Sequence, residues 1–416
     1  MPGFLVDISP LRRYRDFRVV WLGQAVSTLG NQLTVVAVPY QVFRITHSSL
    51  DVGLVSLAQL GPLLVGSLVG GSLADAFDRR RLLMLTQFVL GLTSVGLALN
   101  SSTGRPLLWP LFLLTAVAAG VSGTDSPTRS ALVAAVVGRE SLAAASSLWQ
   151  LLFQVGVVVG PSAAGLMLGH IGVAAVYWID AGTFGVGLLA VMLISPRPPE
   201  GGGTRAGLRS IGEGLRFLAG RPVLQANFVI DINAMVFGMP RALFPALGLL
   251  RFHGGAATVG ALYAAVGAGG LLGAILTGWV PRVHRQGRAV MASVAVWGLA
   301  ITGFGLVTSL DAAMVLLAVA GASDVASAVL RNTLLQQAVP EALRGRLSAV
   351  HIAVVTGGPR LGDLESGAVA AALGAPFSVV TGGLACVAGV VLLGLGYRSY
   401  PRYDARAAAP VVIEAG

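Results

Sequence analysis

The dominant feature of this sequence is a series of apolar stretches, each long enough to cross a lipid bilayer as a helix. A helix that spans the hydrocarbon core needs about 20 mainly apolar residues. Twelve stretches meet this requirement, at residues 19–43, 50–73, 82–100, 107–127, 143–168, 174–194, 223–250, 256–280, 289–308, 312–330, 347–371 and 376–396. Lipid offers the backbone no hydrogen-bond partners, so such spans must be helical. The sequence predicts an all-α integral membrane protein with twelve transmembrane helices.

The scarcity of charge agrees with this prediction. Charged residues make up 11% of the chain and hydrophobic residues 55%, whereas soluble proteins contain about 25% charged residues. This composition argues against a soluble enzyme, and we expect no enzymatic activity. All basic side chains are arginines, so the chain lacks the lysine that a P-loop nucleotide site requires. With one cysteine, Cys386, and histidines at span ends or in loops, we expect neither a cofactor nor a metal.

Arginine placement predicts the orientation in the membrane. If the N-terminus is cytoplasmic, 23 of the 28 arginines fall in cytoplasmic segments. The outer loops hold only Arg44, Arg105 and Arg251, while Arg241 and Arg360 lie within spans. Short cytoplasmic loops are enriched in Lys and Arg. We therefore expect a multi-pass protein of a bacterial inner membrane with both termini in the cytoplasm, and the basic charge does not indicate a nucleic-acid partner.

A polar segment rich in Pro and Gly divides the spans into two groups of six. The predicted organisation is a cytoplasmic arm (1–18), a six-helix bundle (19–194), a cytoplasmic linker (195–222), a second six-helix bundle (223–396) and a cytoplasmic tail (397–416). Three landmarks recur in order in both halves, namely GSLADAFDRRR with GWVPRVHRQGR, Arg129 with Arg331, and Gly160-Pro161 with Gly358-Pro359. Parallel repeats of six spans around a midplane substrate cavity are a transporter architecture.

At these landmarks the chain resembles the major facilitator superfamily, and within it the enterobactin-exporter-like branch of drug and siderophore exporters. The similarity extends over nearly the whole chain and includes FRVVWLGQAVSTLG, THSSLDVGL, GSLADAFDRRRLL, PRALFPALG and NTLLQQAVPEALRGR. The resemblance implies a secondary transporter with the major facilitator fold.

Two motifs carry expectations of their own. The first contains Gly71, Asp75, Asp78, Arg79, Arg80 and Arg81. Its arginines alone could be a cytoplasmic stop signal, but Asp75 precedes Arg79 by four residues and could pair with it on one helix face. The resemblance implies a cytoplasmic latch between the two halves. The second motif, in span 5, contains Gly156, Gly160, Pro161 and Gly165. It is similar to the exporter motif of the superfamily, although Ala164 replaces a usual glycine, and ordinary close packing is the alternative.

Charged residues within spans are costly in lipid and are functional candidates for that reason. The proton-coupling candidates are Glu365, Asp363, Arg360, Asp324 and Asp231. Arg360 and Asp363 share a helix face, whereas Glu365 points away from Asp363, has no partner within one turn and is the preferred proton carrier. Structural ion pairing is the alternative for Asp180, Asp231 and the pair Asp125–Arg129. The candidates for lining the substrate cavity are Gln24, Asn31, Asn233, Phe237, Arg241 and Tyr263.

These observations predict an exporter of amphipathic small molecules, such as a siderophore, antibiotic or drug, that works by alternating access with proton antiport. Its expected partners are the small-molecule substrate, protons and the lipid bilayer, and a monomer is the default. An uptake permease of the same fold is the main alternative. A membrane sensor is the weaker alternative, because a linker of fewer than 30 residues leaves no room for a signalling domain.

Overall fold

A computed structural model describes residues 7–196, 212, 216–339 and 341–404 of the chain. Most of the predicted linker, and the ends of the predicted arm and tail, lie outside these residues. The helices are α1 (Ser9–Arg13), α2 (Arg15–Thr46), α3 (Ser49–Ala76), α4 (Arg79–Ser102), α5 (Leu108–His170), α6 (Gly172–Met192), α7 (Pro222–Phe237), α8 (Gly255–Leu276), α9 (Gln286–Leu306), α10 (Leu310–Ala338), α11 (Glu341–Leu373) and α12 (Ala375–Gly396). The predicted all-helical fold is confirmed for this part of the chain.

Nine helices in the described part of the chain are long and apolar enough to cross a membrane. They are α3, α4, α5, α6, α7 with its continuation to Arg251, α8, α9, α10 and α12. Predicted spans 1 and 11 fall on α2 and α11, which are 32 and 33 residues long but carry polar or charged side chains such as Asn31 and Arg360. The multi-pass architecture agrees with the prediction, and the count of twelve spans stays a prediction.

Predicted spans 4 and 5 both fall within α5, which consists of two helices joined across a kink. The backbone leaves the helical conformation at Gly138, where φ is 69° and ψ is 173°. These dihedral angles disfavour residues with a Cβ atom, so a glycine makes the kink possible without strain. The rest of the segment between the two predicted spans is helical. The polar interval between the predicted spans therefore contains the point where one helix ends and the next begins.

Predicted span 7 is broken. The helix α7 ends at Phe237, and the chain continues through a 3-10 turn (Arg241–Leu243), a short helical turn (Phe244–Ala246) and a π-helical turn (Leu247–Arg251). Pro240 and Pro245 lack the N–H groups that a continuous α-helix would need. Trp297 of α9 donates a hydrogen bond of 2.7 Å to the carbonyl of Gly238, which satisfies one backbone group freed by the break.

The contacts divide the chain into two compact units. The first unit comprises Met1–Thr46, Ala58–Ala206 and Gly255–Gly260, and the second comprises His47–Leu57, Gly207–Gly254 and Ala261–Gly416. The beginning of α3 therefore packs within the second unit, and the beginning of α8 packs within the first. The predicted boundaries place the beginning of α3 in the first bundle (19–194) and the beginning of α8 in the second (223–396). Sequence order alone does not show that these two helix ends belong to the other unit.

Burial is arranged as a membrane protein requires. Large apolar side chains such as Ile275 and Leu392 are 70% and 67% exposed, whereas the charged Asp231 and Arg331 are only 2% and 3% exposed. In water this distribution would be unfavourable, but in lipid it places apolar side chains against acyl chains and charges inside the protein.

The beginning of the predicted tail is anchored to the second unit beside α7. The Tyr400 hydroxyl donates a hydrogen bond of 3.0 Å to Oδ1 of Asn227. Burial raises the pKa of the Tyr400 phenol, so it remains a neutral donor.

Candidate functional site

A buried ion pair joins α7 and α10 in the second unit. Arg331 Nη2 lies 2.8 Å from Asp231 Oδ1, and the two side chains are 4% and 2% exposed. Arg331 Nη1 also donates a hydrogen bond of 2.8 Å to the Ser327 hydroxyl, one turn earlier on α10. Sequence reasoning used Arg331 only as a repeat landmark and missed this role. Its position seven residues after Asp324, on the same face of one helix, is the signal that could have found it.

Asp324 lies close to this ion pair but has no partner of its own. The charges that act on its carboxylate are, in order of strength, those of Arg331, Asp231 and Arg241. No hydrogen bond or ion pair from the described residues reaches the carboxylate itself. Asp231, Arg331 and Asp324 therefore form an acidic cluster in which two carboxylates share one guanidinium.

A second cluster lies where α11 meets the broken segment that follows α7. Asp363 accepts a hydrogen bond of 2.5 Å from Ser56 of α3, and its carboxylate faces the Arg241 and Arg360 guanidinium groups and the backbone N–H of Ala242. Arg360 donates through Nη1 to the carbonyl of Thr356 at 2.8 Å. The pairing of Arg360 with Asp363 stays a prediction, and Ser56 and Arg241 are additional neighbours of Asp363 that the sequence did not indicate.

Glu365 differs from the other span 11 candidates. Its side chain is half-buried, and within the described part of the chain no hydrogen bond or ion pair to it is found. Asp231 and Asp363 both have direct partners. Of the four acidic coupling candidates, Glu365 and Asp324 are therefore the two whose carboxylates have no dedicated partner among the residues that the structure describes.

The broken segment fixes Arg241. Tyr263 of α8 donates a hydrogen bond of 3.0 Å to the Arg241 carbonyl, and its ring packs edge-on against Phe244 with 4.8 Å between ring centroids. Arg241 Nη2 lies 3.1 Å from the Met239 sulfur, a weak acceptor. Two predicted cavity residues, Arg241 and Tyr263, therefore lie together in one structural feature.

Asn233 and Phe237 have different surroundings. Both border an apolar cavity of about 350 Å³ between α7 and α12, which is also lined by Val229, Ile232, Gly389, Leu392, Leu393, Gly396 and Tyr397. Asn233 donates a hydrogen bond of 2.9 Å to the Cys386 carbonyl. Because this bond joins α7 to α12, the Asn233 amide group has a structural role as well as a place in the cavity wall.

Gln24 and Asn31, the two predicted cavity residues of α2, differ in their exposure. Gln24 is 2% exposed and its Nε2 atom has no hydrogen-bond partner in the described chain, whereas Asn31 is exposed. The two residues lie nearly in line around the helix but are about 10 Å apart along its axis. Neighbouring helices cover one of them and not the other.

Two acidic residues organise the polar interior of the first unit. Asp125 forms the expected ion pair with Arg129, and it accepts hydrogen bonds from Thr86 at 2.6 Å and Gln87 at 3.1 Å. Asp180 has no ion-pair partner among the described residues but accepts hydrogen bonds of 2.7 Å from both Thr34 and Ser94. Each carboxylate links α4 to other helices, which supports a structural role.

The motif from Gly71 to Arg81 lies at the connection between α3 and α4. Asp78 caps α4 by accepting a hydrogen bond of 3.0 Å from the Arg81 N–H, and Arg80 donates to the carbonyls of Val191 at 3.2 Å and Met192 at 2.6 Å at the end of α6. Cations are favourable at helix C-termini. Asp75, which is exposed, and Arg79 lie on different helices, so the prediction that they pair on one helix face is wrong.

The glycines of span 5 lie at two helix crossings. A Cβ atom added at Gly156 would lie 3.2 Å from Thr28 of α2, and one at Gly160 would lie 3.1 Å from Gln32 Cγ. At Gly165 the added atom would lie 2.8 Å from Gly260 Cα and 2.9 Å from the Ala256 carbonyl oxygen, both on α8. At Gly160 and Gly165 a Cβ atom fits only if a neighbour shifts, whereas at Gly156 the Thr28 side chain would have to yield by a small distance. The motif therefore permits close packing, which is the alternative that the sequence left open.

Comparison with known proteins places these features in a family context. Residues 6–411 match the sequence profile of the transmembrane secretion effector family. The chain is 32% identical over 395 residues to the enterobactin exporter EntS of Escherichia coli O1:K1 and, equally, of Citrobacter koseri, covering 94% of this chain and 93% of each relative.

Similar solved structures share the fold at low sequence identity. A POT family transporter in complex with 5-aminolevulinic acid has a TM-score of 0.75 and 11% identity, covering 93% of this chain and 97% of the other. A bacterial homologue of the human lysosomal transporter Spinster, in an inward-facing form, has a TM-score of 0.71 and 16% identity, covering 96% and 98%.

Proposed function

Because the chain belongs to the transmembrane secretion effector family of the major facilitator superfamily, we propose that it is a secondary active exporter of amphipathic small molecules. The observation that carries this proposal is similarity to enterobactin exporters over 94% of the chain. A siderophore is the first substrate class to test, and antibiotics and drugs are the next. An uptake permease of the same fold remains the alternative.

Energy for export comes from an ion gradient in this proposal. The chain has no lysine and hence no P-loop for ATP. One elementary charge that moves through about 150 mV releases roughly 3.5 kcal/mol, enough for a concentration ratio of about a few hundred. Proton antiport fits the acidic residues that the spans contain.

Within this proposal, Asp324 and Glu365 are the strongest candidates for the proton carrier. A carboxylate fixed in an ion pair gains a proton only by giving up its partner. Asp231 holds such a partner, and Asp363 accepts a hydrogen bond from Ser56 and is influenced by the charges of two arginines. Asp324 shares the Arg331 charge with Asp231. Asp324 thus joins Glu365 as a leading candidate, and the arginine-flanked Asp363 moves to an electrostatic role.

The cytoplasmic motif and the span 5 motif have conformational roles in this proposal. The latch function of Asp75 and the neighbouring arginines is an expectation from the family. Asp75 is exposed in this structure, which supports the latch function. An exposed side chain is available for a contact that forms in a different transport state. The glycines of α5 would let its crossings with α2 and α8 tighten or slide.

The decisive experiment measures direction and driving force together. Inverted membrane vesicles from cells that express the protein would be energised so that the lumen is acidic and positive, which drives protons out of the vesicle, and given a ligand panel that includes enterobactin. An exporter accumulates its substrate in inverted vesicles, and a protonophore abolishes the accumulation. Accumulation only in right-side-out vesicles would instead identify an uptake permease.

A further inference from the structure

The cluster around Asp363 contains more positive than negative charge. Arg241 and Arg360 both face the single Asp363 carboxylate, and the two guanidinium groups also act on each other as like charges. Asp324 faces Arg241 as well, but Arg331 and Asp231 are its stronger neighbours. One carboxylate therefore neutralises two cations at this place.

The helices hold the two arginines close together. A Cβ atom added at Gly362, two residues after Arg360, would lie 3.0 Å from the Val236 carbonyl oxygen at the end of α7. The broken segment that follows α7 carries Arg241, and the Tyr263 hydroxyl fixes its carbonyl at 3.0 Å. The two guanidinium groups are thus attached to backbone segments in close contact.

Both guanidinium groups have unused hydrogen-bonding capacity. The Nε atoms of Arg241 and Arg360 are buried and, within the described chain, have no hydrogen-bond partner. The contacts that their other nitrogens make are to neutral groups, the Met239 sulfur and the Thr356 carbonyl. An unsatisfied buried donor on a cation is costly, and the planar guanidinium group binds carboxylate-like anions through two donors at once.

We propose that Arg241 and Arg360 together bind an anionic group of the exported molecule, and that Asp363 is the resident counter-charge with which this group competes. The ligand class is an amphipathic organic anion that bears a carboxylate, sulfonate or phenolate. This inference rests on the proposed export function and names the substrate chemistry of the same site. Ser56 orients Asp363 through its hydrogen bond of 2.5 Å and is a positioning residue.

The test compares two probes that differ only in charge. Dansylate is a naphthalene sulfonate anion, and dansylamide is its neutral amide. Binding of each to the purified full-length protein would be followed by dansyl fluorescence in phosphatidylcholine nanodiscs, which contain no competing anionic lipid. We expect the wild-type protein to bind dansylate more tightly than dansylamide. Equal affinity for the two probes would overturn the proposal.

Charge-changing variants locate the site. Arg360→Gln and Arg241→Gln should each weaken dansylate binding by about tenfold or more, the usual worth of a charged hydrogen bond, and leave dansylamide binding unchanged. Arg360→Lys should retain part of the preference for the anion. Arg105→Gln, at an exposed loop position, is the matched control and should bind as the wild type does. Parallel loss of both probes in the Gln variants would indicate a merely structural role and reject the site.

A variant that is expected to strengthen binding controls for misfolding, because a misfolded protein would bind more weakly. Asp363→Asn keeps an acceptor for Ser56 but removes the competing negative charge, so it should tighten dansylate binding. Weaker or unchanged dansylate binding in this variant would contradict the proposal. Because the binding measurement needs no ion gradient, the anion site is tested separately from the proposed export function. Arginine-dependent binding without proton-driven accumulation of any ligand in inverted vesicles would reject the exporter and leave the anion site standing.

Discussion

At the scale of single residues, the second unit separates its charges into two clusters. Asp231, Asp324 and Arg331 form the acidic cluster, and Arg241, Arg360 and Asp363 form the basic one. A transporter that exchanges protons for an anionic substrate needs both kinds of site. Two residue-scale predictions test whether the acidic cluster is a structural fixture, a proton site, or both.

The first prediction concerns the Asp231–Arg331 ion pair. Arg331→Met leaves Asp231 as a buried, unpaired charge and should lower stability by about 3–5 kcal/mol. The double variant Asp231→Asn with Arg331→Met should recover much of that loss, because position 231 then no longer carries a buried, unpaired charge. Thermal unfolding of the purified variants measures both effects, with Asp311→Asn at an exposed position as the control. A double variant no more stable than the single one would show that the pair does not act as a unit.

The second prediction compares the two carboxylates without dedicated partners. If Glu365 carries the proton, Glu365→Gln loses proton-driven export but retains ligand binding; if Asp324 carries it, Asp324→Asn shows that pattern. The measurement is substrate-induced proton release from purified protein across a range of pH. We expect one of the two variants to abolish release, and wild-type release in both would exclude this assignment of the coupling site.

At the scale of helices, glycines and helix ends set how closely elements approach. Gly53 of α3 faces α11, where an added Cβ atom would lie 2.9 Å from Leu364 Cα. The contact between Gly165 and α8 is similarly tight. In lipid, such close packing replaces the hydrophobic effect as the main source of helix association.

The third prediction uses Gly165 and a matched neighbour. Gly165→Leu would place a side chain against the Gly260 backbone and should strongly reduce transport and lower the unfolding temperature. At Gly169, one turn later on the same helix, an added Cβ atom has no other atom within 4 Å, so Gly169→Leu should be tolerated. Transport assays and thermal unfolding of both variants give the comparison. Equal behaviour of the pair would mean that the close crossing is dispensable.

The fourth prediction concerns the connection between α3 and α4. Asp75→Asn should severely reduce transport while expression and ligand binding stay near wild-type levels, because a latch contact stabilises one transport state and lies outside the binding site. A change of about 1–3 kcal/mol shifts a two-state population several-fold to over a hundredfold. A well-expressed variant with wild-type transport would leave the arginines as a topology signal only.

At the scale of the whole molecule, the arginine distribution predicts the orientation in the membrane. The fifth prediction is that reporter domains fused after Arg81 or at the C-terminus read as cytoplasmic, whereas fusions at Asn100 and Asp311 read as external. The physical basis is the preference of Arg-rich loops for the cytoplasm. Reporter activity in intact cells measures this, and a cytoplasmic signal at Asn100 would overturn the arrangement of the spans.

The sequence by itself determined the helical membrane architecture, the internal repeat and the family. These depend on local hydropathy, on motif residues and on their order, which are written directly in the chain. Only the tertiary structure decided that Asp231 pairs with Arg331, that Ser56 meets Asp363, that α5 is kinked at Gly138, and that the helix of span 7 breaks before Arg241. The reason is that the hydrophobicity of a segment is enough to decide whether it crosses the lipid as a helix. The partner of a buried charge depends instead on which helix faces meet, and those faces lie far apart in the sequence.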